Sequence, residues 1–412
     1  MNVKFFDKAA NVQSIQIPDS IKTFSEYKRH FYSHIKNQTH NVARCDLVFD
    51  CYLNNSLKST ARAKRGLSVA INFKASTPLP KNWHTFLSNA ENKTRLFKYI
   101  ALKDDLIDFH AYQDLFVTDV DTVNVLHSVT PENLDIQSIN PSDHEEADSR
   151  IFLHCLHASE RNLKNIMIVT VDSDVIVLAV HYFDKLNIDS LWVRFGVGKH
   201  IKFIAIHEIS VSLKDICSGL PFFHAFTGCD TVSAFENHGK VSAWKAWMSL
   251  PQITNVFKEL SSPSALTEEM FKKLEVFVIK MYHKDSKTSE LDIARKELVF
   301  GKACSPDQLP PTSAALRNHA LRALYQAGHI WGRSLVKIQN ANNPLNYGWR
   351  KDSTEVWVPV WTHYQPATKS DVNKNCGCKK LTCKGNCVCR RLKMNCRTPC
   401  KCDAKCKKDP EV

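Results

Sequence analysis

The run NIMIVTVDSDVIVLAV, residues 165–180, constrains this chain more than any other stretch. Rich in Val and Ile, it reads as a strand buried on both faces, the kind found in a parallel sheet. Asp172 and Asp174 interrupt it. A buried carboxylate without a partner is costly, so it takes up a proton, pairs with a cation or binds a metal. The pair therefore marks the end of a strand as the floor of a cation site.

The rest of the chain alternates in the same manner. VKFF (3–6) reads as a first strand, followed by a helical stretch over 9–15. DLVFD (46–50) reads as a second strand leading into SLKSTARAKRG. NWHTFLSNAENKTRLFKYI is helical and DTVNVLHSV extended, and EEADSRIFLHCLHASER places apolar residues at helical spacing. LWVRFG and HIKFIAIH read as a hairpin. GLPFFHAFTGCDTVSAF and HGKVSAWKAWMSL read as helices around a glycine turn, and Ser313 to Trp331 as one further helix. Strands alternating with helices argue for an α/β fold with a central, mainly parallel sheet. With 412 residues, 43% of them hydrophobic, the chain can fill two or three domains. The expected layout is a catalytic-type body over 1–250, a helical extension and connector over 251–372, and a cysteine-rich module over 373–408. An apolar run of ~18 residues is absent, which argues against a membrane span. MNVKFFDKAANV lacks the basic and apolar regions of a secretory signal, so an intracellular protein is expected.

Acids fall at the ends of the expected strands. Asp7 closes the first and Asp50 the second, Glu146 and Asp148 open a helix, Asp172 and Asp174 follow the third strand, and Asp230 lies in a GCD turn. In an open α/β sheet, ligands bind at the carboxyl ends of the strands. Oxygen-only donor sets suit Mg²⁺ or Mn²⁺. Two such ions about 4 Å apart activate a water and stabilise the leaving oxygen of a phosphodiester. Taken singly, each acid has another reading: Glu146 and Asp148 also suit a helix N-terminus, and Asp50 and Asp230 also suit turns. His154, His157, His224 and His238 read as packing or surface histidines. Cys45, Cys51, Cys155, Cys217, Cys229 and Cys304 lack ligand spacing and read as buried or inert thiols.

Five blocks, FFDKAANVQSI, VFDCYLNNSLKSTARAKRG, HEEADSR, VDSDVIVL and FTGCDTVSAF, occur in the order seen in PIN-like 5′ nucleases, and over about 1–250 the chain resembles the flap endonuclease branch. The resemblance implies a three-layer PIN-like domain that cuts nucleic acid with two Mg²⁺ or Mn²⁺ ions. It implies Asp7, Asp50, Glu146, Asp148, Asp172, Asp174 and Asp230 as metal ligands. Lys58 and Arg65 would approach the scissile phosphate, with Arg62 and Lys64 on the same basic face. The chain departs from that pattern at Cys51, where the family has glycine, and at the shortened acid Asp148. HGKVSAWKAW keeps only part of the helix-turn-helix that grips duplex DNA. EADSR, DSD and HAFTGCDT also resemble a group of mobile-element-associated animal proteins that often carry a cysteine cluster.

Charge and cysteine are concentrated at the far end. Residues 374–408 hold twelve Lys/Arg and one acid, giving +11 of the formal +13. Nine of the fifteen cysteines lie there: Cys376, Cys378, Cys383, Cys387, Cys389, Cys396, Cys400, Cys402 and Cys406. Their spacing, C-x-C-x4-C-x3-C-x-C-x6-C-x3-C-x-C-x3-C, suits tetrahedral Zn²⁺. With three bridging thiolates, nine cysteines would hold about three ions, and so small a segment would fold only with metal. The array resembles the tesmin/TSO-type CXC domain, a DNA-binding module, which implies all nine as zinc ligands. Asn386 stands where that family's double-copy members place a minor-groove tyrosine. Lys379, Lys380, Lys384, Arg390, Arg391, Lys393 and Arg397 could contact DNA phosphates with limited base readout. The leading expectation is a metal-dependent nuclease tethered to DNA in the nucleus. An inactive scaffold acting through the CXC module is the alternative, and a transposase ranks last.

Overall fold

The computed structural model describes residues 2–362 except 8–11, 13–14, 40–41, 53–55, 59–68, 105–106, 108–113, 132–133 and 302–307. The helical stretch expected at 9–15, the cations Arg62, Lys64 and Arg65, and the whole cysteine array lie outside the described residues, as do Cys304 and the basic residues around the array.

The chain divides into two units. The first comprises Met1–Val232, Phe257–Ala265 and Arg322–Pro359; the second comprises Ser233–Val256, Leu266–Leu321 and Val360–Val412. The first unit is α/β, built on a seven-stranded sheet of order β4-β3-β2-β1-β5-β6-β7. Its strands are β1 (Val3–Asp7), β2 (Arg44–Val48), β3 (Asp114–Asp119), β4 (Thr122–Ser128), β5 (Asn165–Thr170), β6 (Ser190–Phe195) and β7 (Lys202–Ala205). β1, β2, β3, β5 and β6 run parallel, and the edge strands β4 and β7 pair antiparallel. The parallel strands thus extend in one direction from β1 through β2 to β3, and in the other through β5 to β6. Strand order reverses between β1 and β5, the position where open α/β sheets bind ligands.

The helices of this unit are α1 (Phe24–Gln38), α2 (Trp83–Ser88), α3 (Ala90–Ala101), α4 (Ala147–Glu160), α5 (Ser173–Tyr182), α6 (Ile206–Leu213) and α7 (Leu220–Phe226). Thr23 starts α1 through a capping box. Its hydroxyl accepts from Glu26 N at 3.3 Å, and Glu26 Oε2 accepts from Thr23 N at 3.0 Å. Phe24, Tyr27, Phe31 and Ile35 then recur at helical spacing and are fully buried. They join Phe6, Leu47, Leu115, Val117 and Val169 in one core, with Leu96, Phe97 and Ile100 of α3. Side chains alternate across a strand, so Phe5, Arg44, Asp46 and Phe116 face the other side, where α4 packs on β1 and β2. Helices therefore cover both faces.

On that second face lies a buried ionic network. Asp46, fully buried, receives Arg44 Nε and Nη2, each at 2.7 Å, and pairs with His154 Nδ1 at 2.7 Å. Arg44 Nη1 meets His157 Nδ1 at 2.9 Å, and the guanidinium lies 4.1 Å from the Phe116 ring centroid. Burial raises the Asp46 pKa, but the Arg44 and His154 contacts outweigh it and hold the carboxyl below its usual range. The histidines of EADSRIFLHCLHASER are thus hydrogen-bonded anchors for α4. Arg150, also fully buried, donates to the carbonyls of Val120 and Thr122 and ties α4 to the β3–β4 turn.

The structure corrects the reading of residues 165–180. β5 ends at Thr170, and the second half of the apolar run is helix α5. Val175, Leu178, Ala179 and Val180 are buried around the helix, and a helix buried all round looks like a buried strand in sequence. Periodicity alone also does not mark the parallel strand β3, DLFVTD. The second unit is helical among the described residues, with α8 (Lys240–Ser249) packed on α10 (Glu268–Tyr282), and α10 on α11 (Leu291–Gly301); α9 (Ile253–Leu260) lies between α8 and α10 in sequence, and α12 (Ser313–Leu324) follows α11. Among the described residues, no helix is long and apolar enough to cross a membrane.

Removing Asp46 leaves the buried Arg44 without its counterion. Asp46→Ala is expected to cost about 3–5 kcal/mol in chemical denaturation, whereas Thr23→Ala should cost about 1 kcal/mol.

Candidate metal centre

The acids converge at the carboxyl ends of β1, β2 and β5. β1 ends on Asp7, buried, whose Oδ2 accepts the Thr170 hydroxyl at 2.7 Å. Thr170 Oγ1 in turn accepts Asp172 N at 3.0 Å, so Asp7 and Asp172 share one hydroxyl. Asp172 is the N-cap of α5, and its Oδ1 accepts Asp174 N at 2.8 Å. Both aspartates thus sit at the positive end of a helix that leaves the sheet here.

α4 supplies the opposite wall. Glu146 occupies its N-cap but makes no side-chain cap bond. Asp50, just beyond β2, takes that role: its Oδ1 accepts Ala147 N at 2.9 Å. Glu146 is free to turn to Lys58, with Oε1 3.0 Å from Nζ. The segment carrying Lys58 is docked alongside, through Cys51 N to Glu145 O at 2.8 Å and Ser56 Oγ to Glu145 Oε1 at 2.6 Å. Asp148, in the first turn of α4, completes the cluster.

Carboxylate oxygens of Asp148, Asp172 and Asp174 all lie within 4.8 Å of one another. Oxygens on opposite sides of an octahedral Mg²⁺ stand about 4.2 Å apart, twice the metal–oxygen distance, so small rotations would bring the three onto one ion. A second observation points the same way. Glu146 Oε2 is buried without a hydrogen-bond partner among the described residues, and such an anionic oxygen calls for a cation or water. The donor set is all oxygen, which fits Mg²⁺ or Mn²⁺.

Electrostatics tie the remaining acids to this triad. Burial raises the Asp148 pKa well above the usual range, opposed by Lys58 and reinforced by Asp172, Glu146 and Asp7. Burial first and Asp174 second lift Asp172 to about 6, and Asp230 adds to the rise. Lys58 is held well above its usual value: Glu146, Asp148 and Asp50 together outweigh its desolvation, the largest contribution. Lys58 thus interacts with Glu146, Asp148, Asp50 and Asp172, while Asp7 acts on Asp148, and Asp174 and Asp230 act on Asp172. Asp148, Asp172 and Asp174 stand closest together, Asp7, Asp50 and Glu146 are hydrogen-bonded or ion-paired beside them, and Asp230 is exposed in its turn.

Two contributors were missed. His224, read as a packing histidine, places Nε2 2.8 Å from Asp174 Oδ1 and fixes that carboxylate. Its place in FFHAFTGCD, six residues before Asp230, was the available signal. Thr170 gave none, since a threonine ending a strand is ordinary. Cys45, Cys51, Cys155 and Cys217 are buried as expected, and burial raises the Cys155 thiol well above its usual pKa.

A carboxyl whose folded pKa exceeds its unfolded one binds more protons when folded, so its stability contribution is present at low pH and lost as pH rises. For Asp172 that window runs from 3.8 to about 6. In EDTA, thermal stability is expected to fall across this window by on the order of 3 kcal/mol from Asp172; Mn²⁺ should restore it, and Asp172→Asn should flatten the fall.

No family model matches the chain and no curated protein matches it, so the geometry carries the functional argument alone.

Proposed function

We propose that this protein is a PIN-like, metal-dependent nuclease that hydrolyses phosphodiester bonds at the Asp148–Asp172–Asp174 cluster, tethered to DNA by its CXC module. The observation that carries the reading is the meeting of these three carboxylates within 4.8 Å, at the sheet's switch point and beside the half-buried Lys58. The three clustered acids, with Asp7, Asp50 and Glu146 beside them and Lys58 opposite, would hold two divalent cations. When bound, such ions activate a water and stabilise the oxygen leaving phosphorus.

The chain's own groups then have defined tasks. Lys58, held at Glu146 and kept protonated by its acidic neighbours, places a fixed positive charge where the phosphoryl oxygens gather charge. The N-termini of α4 and α5 both begin at the cluster, capped by Asp50 and Asp172, and their dipoles favour negative charge there. Asp50 and Thr170 keep the two helix starts in register with the strands. Arg65, with Arg62 and Lys64, adds positive charge for the substrate phosphates in this reading. The nine cysteines, Cys376 through Cys406, hold about three Zn²⁺ ions. Lys379, Lys380, Lys384, Arg390, Arg391, Lys393 and Arg397 bind the DNA backbone, which places the protein in the nucleus.

Purified protein with end-labelled single-stranded, duplex and flap DNA should cut in Mg²⁺ or Mn²⁺ and not in EDTA. Asp172→Ala with Asp174→Ala should lower the rate by at least about 10³, and Lys58→Ala by about 10²–10³. Cutting that survives in the double variant would refute the assignment. Stripping zinc should weaken DNA binding at least tenfold and flatten its salt dependence in a filter-binding assay; unchanged binding would remove the tether.

A further inference from the structure

Beside the acidic cluster lies a cleft of about 300 Å³ that the reading above leaves unused. Its walls are the last turn of α1 (His34, Asn37, Gln38), the end of β5 (Val169 to Val171) and the β6–β7 turn with Arg194, Gly196 and Gly198. Thr170 belongs to both places: it lines the cleft and donates to Asp7. A chain occupying one is within reach of the other.

The charge in this cleft is unbalanced. Arg194 projects from β6, half-buried, and its guanidinium meets no carboxylate among the described residues. Desolvation alone accounts for its lowered pKa. Lys4 of β1 stands on the same sheet face, because Lys4 pairs with Met167 while Val169 pairs with Arg194. The two cations repel each other, and burial with Arg194 lowers the Lys4 pKa. Lys4 Nζ is already engaged, donating to Gln38 O at 2.5 Å. That contact covers a carbonyl at the end of α1 that would otherwise repel an anion. Arg194 is left facing the cleft with a planar donor fork.

The turn that forms this wall closes on its own backbone at a glycine. Gly196 has φ +93°, and a Cβ there would lie 2.7 Å from His200 O. Gly196 N donates to Thr170 O at 3.1 Å, which holds the turn against the end of β5. A partly desolvated guanidinium without a counterion, beside a second cation and a glycine turn, is a binding place for a phosphate.

We propose that this cleft is a second phosphate subsite, in which Arg194 receives the phosphodiester next to the scissile one in a nucleic acid strand. The assignment rests on the nuclease reading for its neighbour, and it would fix the direction in which the strand crosses the switch point.

The test uses the full chain, with Ca²⁺ in place of Mg²⁺ to hold chemistry, and single-stranded oligonucleotide binding across a salt series. Arg194→Gln is expected to weaken binding about tenfold and to reduce the salt slope by about 0.7, the loss of one phosphate contact to a single strand. Arg194→Lys keeps the charge and is expected to keep the slope. In Mg²⁺, a neutral methylphosphonate one linkage from the mapped cut should slow wild type and leave R194Q unaffected. An unchanged slope in R194Q, an equal loss in R194K, or a methylphosphonate penalty that persists in R194Q would overturn the subsite. Orthophosphate binding that depends on Arg194 without any change in the strand's slope would also overturn it, in favour of a free-phosphate site. Failure of wild type to cut would count against the nuclease reading, while the salt slope still decides the subsite.

Discussion

Carboxylates gathered at the carboxyl ends of β1, β2 and β5 repel one another, and much of the first unit's construction follows from that repulsion. Asp148 and Asp172 hold their protons to unusually high pH because burial and their neighbours disfavour a second and third charge. Lys58 relieves part of the field and is itself kept charged by it. Helix N-termini relieve another part, since α4 and α5 both begin here. What remains is an excess of negative oxygen, and divalent cations are the simplest way to balance it.

Keeping such a cluster together requires a rigid support, and the support is also ionic. α4 carries Glu146 and Asp148 at its start and His154 and His157 further along, and those histidines grip the Arg44–Asp46 pair of β2. The same helix is held at its start by Asp50 and through Arg150 by the β3–β4 turn. The loop entering α4 is pinned as well, with Asp143 accepting Gln339 N at 2.6 Å and Asn340 N at 3.1 Å. α4 is thus fixed relative to the sheet before any cation is considered. α5 is fixed differently, by continuity with β5 and by His224 on Asp174.

The acids were legible in the sequence because all but Asp230, which lies in a turn, fall at or near a strand end or helix start, positions that patterning identifies well. Their closeness was not legible, since it depends on β5 pairing with β1 rather than with β3. Asp172 shows the limit of periodicity. A helix buried on all sides and a strand buried on both faces are alike in composition, and only the Asp172 cap separates them. His224, Thr170 and Arg194 were opaque for a different reason. The roles of His224 and Thr170 arise from contacts across 50 and 163 residues of chain, and that of Arg194 from meeting no carboxylate among the described residues, neither of which a local pattern records. The cysteine array is the reverse case, carried by spacing alone and lying outside the described residues.

The central claim is that Asp148, Asp172 and Asp174 hold a divalent cation. Mn²⁺ electron paramagnetic resonance on wild type and on Asp148→Asn with Asp172→Asn tests it directly, with the zinc module loaded in both. The account predicts Mn²⁺ bound in an all-oxygen environment by wild type and released in the double variant. Equal Mn²⁺ binding by the two proteins, or none by either, would contradict it.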